Sequence, residues 1–190
     1  AWLRTRRFWV QLLAGAPNEM NIFKNIYEKF YIFFNLYVKN TIHKEKPYYA
    51  EDKEDLLVLE KINKKEGYFV DVGCFHPTRI NNTYLLYKKG WRGLNIDMNK
   101  FSIKLFNLVR PEDVNIHSAI SSVKGEIFYY TSKKLALTSS LSKKKDLNLK
   151  VKVNSDSLNN INDTYWLLIK LQLPGLPQEN LLLFASKCHC

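Results

Sequence analysis

The sequence predicts an α/β fold built around a parallel sheet, and three observations carry that expectation. The chain has 190 residues of which 46% are hydrophobic, enough for one domain with a substantial core. Short β-rich runs recur at Tyr68–Gly73, Leu94–Asp97 and Val114–Ile120. Helical stretches fall between them at Thr83–Lys89 and Lys100–Val109. Strands that alternate with helices imply parallel pairing through right-handed crossovers.

The elements follow in order along the chain. Residues 1–19 stand apart, holding three of the six Arg and two of the four Trp. Arg4, Arg6 and Arg7 precede an apolar stretch and Ala14-Gly15-Ala16, a pattern faintly like a secretory leader. The alternative is sequence lying upstream of a natural start at Met20. Residues 20–66 are expected to be helical. Phe23, Tyr27, Phe30, Phe34 and Tyr37 step by three or four. Two readings fit this first helix: packing on the domain or a second subunit, or lying on a membrane face through residues 21–42. Pro47 ends it, and Glu51–Lys65 reads as a second helix, acidic first and basic last. Gly67 is its expected C-cap.

The core is expected over residues 67–170. Gly90 stops the helix Thr83–Lys89, and Arg110-Pro111 ends Lys100–Val109. Gly125–Tyr130 and Leu147–Val153 read as further strands, separated by a Ser/Lys-rich loop over Thr138–Lys145. Leu158–Ile161 reads as a short helix. Trp166–Leu171 reads as a final strand, left partly unpaired at an edge. Residues 171–190 read as a divergent tail without a settled place, because Pro174 and Pro177 interrupt any strand.

Charge and cysteine content narrow the function classes. The formal net charge is +11, but 23 of the 29 basic residues are Lys scattered along the chain. That scatter fits compositional drift better than a nucleic-acid footprint, so no nucleic-acid partner is expected. No apolar run is long enough to span a membrane. Three cysteines, two of them at the last residues, cannot form a disulfide framework. A reducing compartment, the cytoplasm, is the expectation, with peripheral membrane contact left open. Cys188-His189-Cys190 has the wrong spacing for a tetrahedral metal site. Cys74 reads as a small buried residue.

The chemistry-bearing positions lie at strand ends, where open parallel sheets bind ligands. Asp71 and Asp97 end the first two strands, one βαβ step apart, and are expected to open on one cleft. Asp97 is placed to accept both hydroxyls of an adenosine ribose. Gly73 permits close approach of backbone to a ligand. Phe75 and His76 stand where a dinucleotide fingerprint needs glycine, so a nucleoside without phosphates fits better, S-adenosylmethionine being the common one. His76 has a reference pKa suited to a base at an acceptor hydroxyl, or it is a backbone-bonding residue of a tight turn.

The stretch Tyr68–Ser121 carries D-V-G-C-F-H-P, N-N-T-Y-L-L-Y-K-K-G-W-R-G, N-I-D-M-N and S-A-I-S in order. In these motifs it closely resembles the FkbM family of S-adenosylmethionine-dependent methyltransferases. The likeness weakens through GEIFYY, TSSLSKK and VKVNSDSLNNIN to about Asn162. It implies a Rossmann-like class I methyltransferase fold with N-terminal helices. It also implies O-methylation of a sugar or other natural-product hydroxyl, so the implied partner is a small-molecule or glycan acceptor. Asp71 and Gly73 would shape the loop around the methionine part of the cofactor, and Asp97 would bind the ribose. Ser118 and Ala119 would lie against the adenine, with Met98 packing on the same ring. The family pattern breaks after Asn162. Lys170 and Gln172 stand where an acidic motif is expected, so the sheet is expected to be incomplete at its C-terminal side and activity to be weak or absent. The other readings are a cofactor-binding fragment without turnover and a basic RNA-associated module.

Overall fold

The computed structural model describes residues 17–39, 47–62, 64–172 and 181–185. The chain divides into two compact units, Ala1–Lys44 and Glu45–Cys190. In the first unit, helix α1 (Pro17–Phe33) runs into a π-helical turn, Phe34–Val38. Asn35 and Leu36 are buried there, and the Asn35 amide donates to the Tyr31 carbonyl at 2.7 Å.

The second unit is α/β. Helix α2 (Glu54–Lys61) precedes strand β1 (Tyr68–Val72). Helix α3 (Tyr84–Lys88), strand β2 (Arg92–Asp97), helix α4 (Lys100–Val109) and strand β3 (Val114–His117) follow. Then come β4 (Ala119–Ile120), β5 (Gly125–Thr131), β6 (Ser139–Ser140) and β7 (Leu149–Asp156). Helix α5 (Leu158–Gln172) and strand β8 (Leu181–Ala185) complete the described elements.

Two sheets form. The first has the order β3-β2-β1-β8, and every pair in it is parallel. The second has the order β4-β7-β5-β6, with β4 parallel to β7 and the other pairs antiparallel. The first sheet is compatible with a Rossmann-like arrangement. Strands run outward from β1 through β2 to β3, while β8 pairs on the other side of β1. The strand order therefore reverses at β1, and ligand crevices lie at such reversals.

Strand β1 has no polar face because both of its faces are covered. On one face Tyr68, Val70, Leu94 and Ile96 pack with Ile161, Leu158 and Tyr165 of α5. On the other Phe69 packs with Leu86, Trp91 and Phe184, joined by Val58, Leu59 and Ile62. Gly67 proves to be no C-cap, because α2 ends at Lys61. It is small because a Cβ there would intrude on the Trp91 ring.

Three further expectations change. The run 114–120 is not one strand: Ser118 divides it, with β3 in the first sheet and β4 in the second. The run at Trp166–Leu171 is not an edge strand but the second half of α5. The Ser157 hydroxyl accepts from the Asn160 N–H at 3.1 Å and caps that helix. Nothing between Ile161 and Tyr165 breaks the helix it starts. Finally, residues 181–185 of the tail have a settled place beside β1, in register from Tyr68↔Leu181 to Val72↔Ala185. Residues 1–16, 173–180 and 186–190 lie outside the described residues, and with them the leader-like segment, both tail prolines and Cys188-His189-Cys190.

Candidate functional site

The site is built where β1 and β2 end. Gly73 leaves β1 with φ +76°, and its N–H donates to the Ile96 carbonyl at 2.8 Å. Phe75 also lies in the left-handed region, at φ +53°. A bulky residue there costs about 1–3 kcal/mol and persists only when its surroundings hold it. Two bonds do so: the Phe75 N–H donates to Asp97 Oδ2 at 2.9 Å, and the Ser102 hydroxyl donates to the Phe75 carbonyl.

Asp97 is the hub of this turn. Its Oδ1 accepts from the Asn99 N–H at 2.7 Å. Its Oδ2 accepts from the Phe75 N–H, with the Ser102 hydroxyl oxygen 3.4 Å away. Asn99 in turn caps α4, its Oδ1 accepting from the Phe101 N–H at 2.9 Å, while its amide donates to the Lys134 carbonyl at 2.9 Å. Burial pushes the Asp97 carboxyl above the ordinary carboxylate range, and the Asn99 and Phe75 amides oppose that push. The His117 ring donates from Nε2 to the Met98 carbonyl at 3.0 Å and fixes the strand end from the β3 side. The Ser118 N–H donates to the Asp97 carbonyl at 3.1 Å, just where the chain passes from the first sheet to the second.

Between these strand ends and the second sheet lies a cleft of about 120 Å³. Of the sequence-predicted cofactor residues, Gly73, Asp97, Met98, Ser118 and Ala119 line it. Phe75, Leu137 and Leu141 supply apolar wall. Asp97 is the one ionisable residue among the lining positions. A carboxylate offers about four acceptor positions, and the Asn99 and Phe75 N–H groups take two of Asp97's, which leaves two for other donors.

Asp71 and His76 are placed elsewhere. Asp71 lies near the end of β1, beside Asn95 of the neighbouring β2, and it is not among the residues that line the cleft. It is buried, and its Oδ2 accepts from the Thr83 hydroxyl at 3.0 Å and the Asn81 amide at 3.4 Å. Arg110, also fully buried, donates to Asn81 Oδ1 at 2.8 Å and to the Thr83 hydroxyl at 3.0 Å. Asn81 also donates to the Cys74 carbonyl at 3.1 Å, so this cluster braces the back of the site turn. His76 is fully buried and does not line the cleft. Its Nδ1 accepts from the Thr78 N–H at 3.2 Å, the kind of bond that the turn-bonding reading expects. Cys74 is buried against Ile103 and Phe106, and burial pushes its thiol up, away from reactivity.

The buried carboxylates make a pH prediction. Burial raises both Asp71 and Asp113 to about 6, from an ordinary value of 3.8. The folded chain therefore holds protons that the unfolded chain releases between about pH 4 and pH 6. The stability this gives is present below pH 4 and lost as pH rises through about 6. Lowering the pH from 7 to 5 is expected to add about 1.4 kcal/mol for each group. Asp71→Asn is expected to halve the resulting rise in thermal midpoint, measured by scanning calorimetry at the two pH values. An unchanged rise in that variant would contradict the raised value.

Sequence reasoning missed Phe75, Asn99 and Ser102, which hold Asp97, and the wall formed by Ala136–Leu141. Asn99 was findable, since Asn directly before a helical run is a capping signal. The wall was not, since a Ser/Lys-rich loop gives no sign of what it faces. No family model, curated protein or solved structure matches the chain, so a functional reading rests on its own residues and geometry.

Proposed function

We propose that the second unit binds S-adenosylmethionine in the cleft and transfers its methyl group to a hydroxyl of a small molecule or glycan. One observation carries the reading: five residues expected at such a site from the sequence line one cleft at the carboxyl ends of the parallel strands β1 and β2. The residues fit the cofactor's parts. Asp97 has acceptor positions left for ribose hydroxyls. Met98, Ala119 and Phe75 offer apolar contact to a base, and Gly73 brings backbone close to the remaining part. The bound sulfonium supplies an activated methyl group, so the chain's task is to hold the acceptor oxygen in line. Positioning of that kind is worth about 7–11 kcal/mol.

Titration calorimetry with S-adenosylmethionine tests this. Asp97→Asn keeps the shape but removes the charge behind a bond of about 1.5–3 kcal/mol. Affinity is expected to fall at least about tenfold. Failure of the parent chain to bind, or equal binding by the variant, would overturn the reading. Binding without methylation of any hydroxylated acceptor would favour the cofactor-binding reading without turnover.

A further inference from the structure

The first unit exposes an apolar surface that the cofactor cleft does not use. Ile22, Phe23, Ile26, Tyr27, Phe30 and Phe33 are each more than half exposed. At about 100° per residue they fall within one arc of about 140° on α1. Tyr37 and Val38 extend the exposed apolar surface through the π-helical turn. The rings are packed along the helix, Phe33 on Tyr37 with centroids 5.1 Å apart and Tyr27 on Tyr31 at 6.0 Å. Lys24 and Lys29 stand on either side of the arc by the same periodicity, and both are exposed. Asn35 and Leu36, in the π-helical turn, are buried.

We propose that α1 lies in the plane of an anionic lipid surface, with this arc in the headgroup and upper acyl region. Phenylalanine and tyrosine rings suit that depth, and flanking lysines reach back to lipid phosphates while their stems stay apolar. Charge selects lipid over a second copy of the chain. Residues 1–44 carry seven basic and two acidic residues, and the whole chain is at +11. Two such surfaces repel each other, whereas a leaflet containing phosphatidylserine attracts both the lysines and the net charge. Among the described residues no helix is long and apolar enough to cross a membrane, so contact is in-plane. This inference does not depend on the methyltransferase reading.

The test is co-sedimentation of the full chain with vesicles of phosphatidylcholine alone or with about a third phosphatidylserine added. The chain is expected to bind the anionic vesicles, more weakly as salt is raised. Phe23→Ser/Phe30→Ser is expected to weaken that binding at least tenfold. Phe23→Leu/Phe30→Leu, which keeps the apolar area, is expected to retain it, and both variants should melt within a few degrees of the parent. Absence of vesicle binding, or undiminished binding by the serine variant, would overturn the proposal. So would a solution dimer, seen by light scattering, that the serine variant dissolves, since the arc would then belong to a second copy.

Discussion

Arg110→Met is expected to cost the second unit about 3–5 kcal/mol, the usual consequence of removing one partner from a buried charge cluster. The guanidinium is fully buried between the rings of Phe106, Tyr84 and Tyr87, 5.0 to 5.2 Å from their centres. It lies 3.8 Å from the Asp113 carboxylate and donates to Asn81 and Thr83, which hold Asp71. Asp113 in turn accepts from the Gly93 N–H at 2.9 Å and the Asn95 amide at 3.1 Å. Methionine preserves most of the stem's packing, so the loss isolates the charge and its hydrogen bonds. Two carboxyls would be left in the core without a cation and would have to take up protons at neutral pH. For a chain of this length the thermal midpoint is expected to fall by about 10 °C. Asp71→Asn in the Arg110→Met background is expected to recover part of the loss, because it removes one stranded charge. A drop below about 1 kcal/mol in the single variant would mean that the cluster is not held by Arg110.

Phe184→Ala is the second large effect, expected at about 3–5 kcal/mol. Phe184 is 9% exposed and closes the cluster of Phe69, Leu86 and Trp91 on one face of β1. Its neighbour Leu183 is 61% exposed, which is the period-two alternation of a strand with one covered face. Leu183→Ser is therefore the control and should change stability by no more than about 0.5 kcal/mol. Chemical denaturation of the two variants distinguishes them. Equal small effects would mean that β8 contributes little to the sheet. Here the sequence reading is corrected, because a tail expected to lie outside the fold supplies the strand on the open side of β1.

Much of the second unit was legible. The runs at Tyr68, Leu94 and Val114 became parallel neighbours, and α3 and α4 fall where Gly90 and Arg110-Pro111 predicted their ends. Gly73 and Asp97, legible as strand-end residues, line one cleft with Met98, Ser118 and Ala119, which the family resemblance implied. Asp71, expected to open on the cleft, does not line it, and neither does His76, which the sequence left between a base and a turn-bonding residue. Sequence gives the distance of a side chain from a strand end, but not the partner that captures it. Thr83, Asn81 and Arg110 capture Asp71, and Arg110 is 39 residues away in the chain.

What the sequence by itself determined is local. Periodicity, glycine stops and the Asn99 cap set where each helix and strand of the central βαβαβ run lies, because those signals act over a few residues. The tertiary structure decided what depends on distant neighbours. It made Trp166–Leu171 part of a helix, since a short apolar run suits either state and Ser157 starts a helix that nothing then interrupts. It split 114–120 at Ser118, because Ala119 and Ile120 find their partners on β7 and not on β2. It seated 181–185 on β1, because the backbone edge opposite β2 needs hydrogen bonds and Phe184 fits beside Phe69. Each of these outcomes was settled by a partner more than twenty residues away or by competition between two weak local preferences. Neither can be read from a window of sequence.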